Sequence, residues 1–195
     1  QKKYISLQQK GETMNTANIE TTFLGMKLSS PIISGSCGLT SKLPNLVEME
    51  KAGVGAIVLK SLFEEQITYD IQKNIGLLSN MEYGESYDYI ANHITGYEID
   101  NYYSLIREAK RSLSLPIVAS INCVSYSNWV AYAKRLQDAG CDAIELNFMV
   151  LPSNVETSVD DIERLFDDTI AAIKRSITVP ILVKVGKYFT DMAKF

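Results

Sequence analysis

Five short apolar runs in this chain share a pattern: one side is greasy throughout, and the other turns polar as the run ends. They are Pro31–Ser36, Gly55–Ser61, Pro116–Asn122, Ala143–Phe148 and Pro180–Gly186. Side chains alternate across a strand, so each parity of a run faces one side of a sheet. In the first three runs the even positions hold Ser34, Ser36, Lys60, Ser120 and Asn122; the matching parity later holds Glu145, Asn147 and Lys184. The opposite parity is apolar, with Ile33, Ile57, Leu59, Ile117, Ile144 and Leu146. A parallel barrel, with helices outside and a ligand at its C-terminal mouth, requires both faces.

Helical patterns separate the runs. Pro44–Ala52 opens on proline and stops at Gly53, and Asp100–Leu113 spaces Tyr103, Ile106, Ala109 and Leu113 helically. Ser127–Ala139 ends at Gly140. Ser158–Ile177 begins with Ser158 as a cap and Asp160 and Asp161 in its first turn, and its stripe is Ile162, Leu165, Phe166, Ile170 and Ile173. Strand and helix alternation indicates an α/β fold with a parallel sheet. A doubly wound sheet would need a glycine-rich phosphate loop after the first strand. Gly35 and Gly38 do not supply one.

The expected architecture is therefore an incomplete (β/α)8 barrel of about five βα units, against the ~250 residues of a whole one. Residues 1–20 read as a poorly ordered N-terminal extension, and 21–195 as the partial barrel domain. Residues 62–97, rich in Tyr, Asn, Ser, Glu and Gly, read as an insert after the second strand, lying over the mouth as a lid.

A formal net charge of −4 with no basic cluster argues against nucleic acid as a partner. No apolar run approaches the ~20 residues that span a bilayer. Cys37, Cys123 and Cys141 are an odd set without CxxC spacing, which fits buried reduced thiols and a cytoplasmic location. His93 stands alone in the insert, so no metal site is expected. Open edges at the first and fifth strands would suit a homodimer.

Five segments in order resemble the dihydroorotate dehydrogenase family of FMN-dependent barrels. They are SSPIISGSCGLT, the strand GAIVLKS, SIN (Ser120–Asn122), ELN (Glu145–Asn147) and VKV (Val183–Val185). The match covers about Thr22 to Tyr188. The resemblance implies that Gly35, Ser36, Lys60, Ser61, Asn122, Asn147 and Lys184 contact FMN. It further implies that Lys60, as the catalytic residue, stands over substrate and flavin, and that Asn147 and Asn154 help hold the substrate. A fixed ammonium such as that of Lys184 would stabilise the negative charge of a reduced flavin.

The chain also departs from the family. After the fourth strand, the family's Asn-x-Ser-Cys-Pro-Asn carries the Cys or Ser that takes the substrate proton. Here the stretch reads Asn147-Phe148-Met149-Val150-Leu151-Pro152-Ser153-Asn154, placing Val150 or Leu151 at the base position. Neither accepts a proton. Cys123, Ser125 and Ser153 are the nearest polar stand-ins. The family's phosphate-holding loops follow the seventh and eighth strands, so this stretch alone is expected to bind FMN weakly or not at all.

The leading expectation is an FMN-dependent oxidoreductase acting on a CH–CH bond of a small, pyrimidine-type heterocycle. Two alternatives stand beside it. One is a Schiff-base aldolase or lyase using Lys184 or Lys60. The other is a catalytically inactive flavin-binding homologue.

Overall fold

The computed structural model describes residues 18–64, 85–122, 126–148 and 158–186. Outside these lie the extension through residue 17, insert residues 65–84, and Cys123, Ser125, Val150, Leu151, Ser153 and Asn154.

The described chain opens on a hairpin, β1 (Thr21–Phe23) antiparallel to β2 (Met26–Leu28). Leu24 and Gly25 form its two-residue turn at φ 51 and 77, the left-handed pair that matches strand twist. Leu24 and Met26 then pack on an interior cluster of Val58, Val118 and Ala143. The hairpin thus closes the floor of the sheet. Its cue in the sequence is a Leu-Gly pair between two short alternating runs.

The polar-tipped runs form β3 (Ile33–Ser34), β4 (Ala56–Val58), β6 (Ile117–Asn122), β7 (Ala143–Phe148) and β8 (Ile181–Val185). They lie side by side in chain order, every pair parallel. A short β5 (Leu62–Phe63) follows β4 and also pairs with β6. A doubly wound sheet would reverse its strand order at a switch point, and this one does not. The architecture is α/β, a curled parallel arc of an incomplete barrel.

Among the described residues, four α-helices connect the strands: α1 (Leu43–Lys51), α2 (Glu85–Ser112), α3 (Tyr126–Ala139) and α4 (Val159–Ser176). Helix α2 begins well before Asp100, so residues 85–97 of the expected insert are helical. Helix α1 carries Pro44 in its first turn and ends before Gly53, at φ 87. Helix α4 is held by a reciprocal cap: Asp161 N–H donates to Ser158 Oγ at 3.1 Å, and Ser158 N–H donates to Asp161 Oδ2 at 3.3 Å.

The main core lies between sheet and helices. Ile57, Ile117, Ile144 and Leu146 meet Leu46, Ile106, Leu136 and Phe166, each fully buried. Each contributes roughly 1.5–3 kcal/mol of burial. Phe148 joins β7 to two helices, with ring centroids 4.6 Å from Trp129 and 4.3 Å from Phe166. On α4 the buried stripe is Ile162, Phe166, Thr169 and Ile173, while Leu165 is exposed. Cys141 is buried, and its thiol is pushed up to about 12 by that burial, so it stays protonated and inert. Cys37, expected buried, is exposed.

Gly55 marks the tightest approach. A Cβ there would fall 1.9 Å from the Ser30 carbonyl oxygen, and its N–H donates to Ile32 O at 2.7 Å. Only glycine lets β4 enter the sheet beside this turn.

Candidate active site at the barrel mouth

The inner face of the sheet is layered. Val58, Val118 and Ala143 are register partners and form the dry floor. Two residues further along, Ser120 lies opposite Glu145. Two further again, Asn147 lies opposite Lys184, with Asn122 at the end of β6. The interior therefore passes from hydrocarbon to hydroxyl and carboxylate to amide and ammonium, toward the C-terminal ends of the strands.

Two positions depart from strict alternation. In β3, Ile33 lies opposite Ala56 and packs on the interior floor cluster. Ser34 turns to the helix side, where its hydroxyl donates to Met49 Sδ at 3.4 Å. The expected parity of this run is off by one residue.

The second departure is at Lys60. Val58 pairs with Val118, but Leu62 pairs with Ile121, so four steps on one strand match three on the other. Lys60 and Ser61 thus share the place opposite Ser120, a β-bulge. Lys60 N–H leaves the ladder for Thr40 O at 3.4 Å, and Ser61 N–H goes to Ser36 Oγ at 2.9 Å. The frame shifts, so Ser61 is the residue turned onto the Ser120 hydroxyl. Lys60 is exposed, and no described residue pairs with its ammonium.

Tyr102 fills the gap the bulge opens. Its hydroxyl accepts Ser120 N–H at 3.0 Å and donates to Ser120 O at 3.2 Å, two groups that a regular rung would use. Burial raises its phenol pKa strongly, which keeps that donor in place.

Across the inner face runs a continuous polar chain. Ser36 Oγ lies 3.1 Å from Ser61 Oγ, which lies 2.7 Å from Ser120 Oγ. Ser120 donates to Glu145 Oε1 at 2.7 Å, and Lys184 Nζ donates to the same oxygen at 2.8 Å. Glu145 is 6% exposed and the only charged side chain among the buried described residues. The Lys184 side chain is 43% exposed, so its ammonium reaches the mouth while its partner stays dry. Sequence reasoning placed Glu145 inside with the lysines but did not foresee that three serines would link it to the first strand.

The candidate residues fall as follows. Ser36, Ser61 and Lys184 belong to the chain of contacts. Asn122 and Asn147 are buried beside it, 7% and 5% exposed, and Asn147 Oδ1 has no hydrogen-bond partner among the described residues. Gly35 is exposed at the end of β3, with open space where a Cβ would stand. Lys60 is outside the chain of contacts, and Asn154, Val150 and Leu151 lie outside the described residues.

The fold and this rim define a partial parallel α/β barrel with a polar mouth holding one ammonium–carboxylate pair. No family model matches the chain. It is similar to the dihydroorotate dehydrogenase B (NAD(+)) catalytic subunit of Thermoplasma acidophilum, 28% identical over 180 residues, covering 90% of this chain and 57% of that subunit. The subunit of the same name from Thermoplasma volcanium is 27% identical over 177 residues, covering 87% and 54%. The NAD-dependent dihydropyrimidine dehydrogenase subunit PreA of Escherichia coli K12 is 25% identical over 201 residues, covering 93% and 45%. The chain spans about half the length of the curated relatives it matches. The resemblance to the dihydroorotate dehydrogenase family is borne out by these relatives over part of their length. Among the described residues, no helix is long and apolar enough to cross a membrane.

Proposed function

We propose that this chain forms part of an FMN-dependent oxidoreductase similar to dihydroorotate dehydrogenase, acting on a CH–CH bond of a small polar heterocycle of the pyrimidine type. The observation that carries this reading is the donor and acceptor set of the rim. Asn147 Oδ1 is a buried acceptor that meets no donor among the described residues, and such a group costs ~1–3 kcal/mol until something pairs with it. The imide N–H of a flavin or of a pyrimidine is a donor of the right kind. Asn122 adds a second buried amide, and Lys184 adds an ammonium with two N–H groups beyond the one given to Glu145.

This set fits a flavin. Lys184, Asn122 and Asn147 would meet its polar edge, and Gly35, Ser36 and Ser61 would lie along it where small residues let a flat ring approach. FMN, when bound, supplies a two-electron acceptor for hydride. The residues of this chain supply the remainder. Lys184 holds positive charge where negative charge develops, and the dry floor of Val58, Val118 and Ala143 keeps water from beneath it. The amides would orient the ring by hydrogen bonding, and Lys60, which is exposed, would offer a cation to a substrate's anionic group.

A Schiff-base reading finds less support, because the Lys184 ammonium is held in an ion pair and an amine nucleophile must be neutral. The names of the relatives supply the probes. Protein supplied with excess FMN should turn yellow, and the bound flavin should bleach anaerobically with dihydroorotate or dihydrouracil. Colourless protein that takes up no FMN and can be trapped by borohydride with a ketone would overturn the reading.

A further inference from the structure

The hydroxyl chain has a determined direction. Ser120 has one proton and gives it to Glu145 Oε1. The 2.7 Å contact to Ser61 must then be donated by Ser61. Ser61's proton being spent there, the 3.1 Å contact to Ser36 must be donated by Ser36. Every hydroxyl therefore points toward Glu145, and Ser36 Oγ, which also accepts Ser61 N–H, keeps one lone pair free. Ser36 is only half-buried, next to exposed Gly35 and Cys37, so the head of the chain is open to the mouth and its tail is dry.

We infer that Ser36, Ser61 and Ser120 form a proton relay from the mouth to Glu145, and that the Glu145–Lys184 pair is where the proton of the oxidation is stored. The inference rests on the oxidoreductase reading above. Oxidation of a CH–CH bond releases one hydride and one proton and leaves a C=C bond; the flavin, when bound, would take up the hydride's two electrons. The proton goes to Ser36 Oγ while Ser36 passes its own to Ser61, Ser61 to Ser120, and Ser120 to the Glu145 carboxylate. Each serine ends neutral, and Glu145 ends as the carboxylic acid. Lys184 is then released from its pair as negative charge grows in the mouth, so the net charge of the inner face follows the chemistry. The relay supplies the proton acceptor that Val150 and Leu151 cannot.

The test uses the flavin-loaded protein reduced anaerobically by dihydroorotate or dihydrouracil in mixtures of H2O and D2O. A relay moves several protons together, so the reduction rate should depend on deuterium fraction with curvature. Infrared difference spectra should gain a protonated carboxyl band that Glu145→Gln lacks. Ser120→Ala cuts the relay in the middle, and should slow reduction by ~100-fold or more and abolish both the curvature and the band. Ser120→Thr keeps the hydroxyl and should restore both, which separates the relay from a packing defect. Bleaching at the native rate by Ser120→Ala, with a linear isotope response and no carboxyl band in the native protein, would overturn the relay while leaving the oxidoreductase intact. Failure of the native protein to bleach with either probe overturns both.

Discussion

Two single positions show opposite uses of a residue. Gly55 serves the fold, because its missing Cβ lets the Ser30 carbonyl occupy the space where any other side chain would begin. Gly55→Ala must push back two backbone segments, and should cost more than the ~1 kcal/mol typical of point substitutions; urea unfolding will read this directly. Asn147 is the converse, a residue whose side-chain oxygen meets no donor among the described residues. Asn147→Leu removes an orphaned oxygen from a buried site, so the protein without flavin should gain thermal stability or hold it unchanged. FMN affinity should fall by about tenfold, equivalent to ~1.4 kcal/mol. Loss of stability without loss of affinity would return Asn147 to an ordinary structural role.

At the scale of strands, the telling feature is the extra residue between β4 and β5. Its strain is met by Tyr102 on α2, which caps both orphaned backbone groups of Ser120. Tyr102→Phe leaves a buried N–H and C=O unpaired, and should cost roughly 1–3 kcal/mol for each group. Deleting Lys60 would restore an even ladder across from Ser120, and in that background Tyr102→Phe should lose most of its effect in a double-mutant cycle. Equal costs in both backgrounds would show that the bulge is not what Tyr102 serves. These features also mark the limit of what the sequence could tell. Strand and helix order, the greasy outer face and the polar tips of Ser120, Asn122, Glu145, Asn147 and Lys184 all follow from periodicity and were legible. The bulge was not, because GAIVLKS reads as one unbroken apolar run ending in Lys-Ser and only pairing with β6 reveals that Lys60 is the surplus residue. The early start of α2 was hidden by a polar, tyrosine-rich composition with a weak apolar stripe. The serine chain was invisible for a third reason: it joins residues from three strand ends whose spacing is set by register.

For the molecule as a whole, stability should depend on acid in a predictable way. Glu50 on α1 accepts from Ser114 N–H and Ser114 Oγ, both at 2.7 Å, tying the first helix to the turn before β6. The backbone N–H of Ser114 first, and its hydroxyl second, lower the Glu50 pKa from 4.5. The Asp161 carboxyl is lowered likewise by the Ser158 side chain and then its backbone. A carboxylate with a depressed folded pKa binds fewer protons than its unfolded counterpart, so its stabilisation is present above about 4.5 and fades as pH falls through the folded value. Glu50→Gln should therefore narrow the difference in unfolding free energy between about pH 7 and pH 3, by an amount moderated by solvent screening at this site. An unchanged difference would show that the tie to Ser114 contributes nothing to folding.

A row of hydroxyls that all donate the same way also keeps a memory of its last use. Once a proton has crossed from Ser36 to Glu145, the three O–H bonds point back toward the opening. A second crossing inward must wait until they swing round, whereas the outward trip can begin at once. Such a wire favours two strokes of opposite sense over repeated delivery in one. A cycle that empties Glu145 while the cofactor is being reoxidised would leave the row reset for the next substrate.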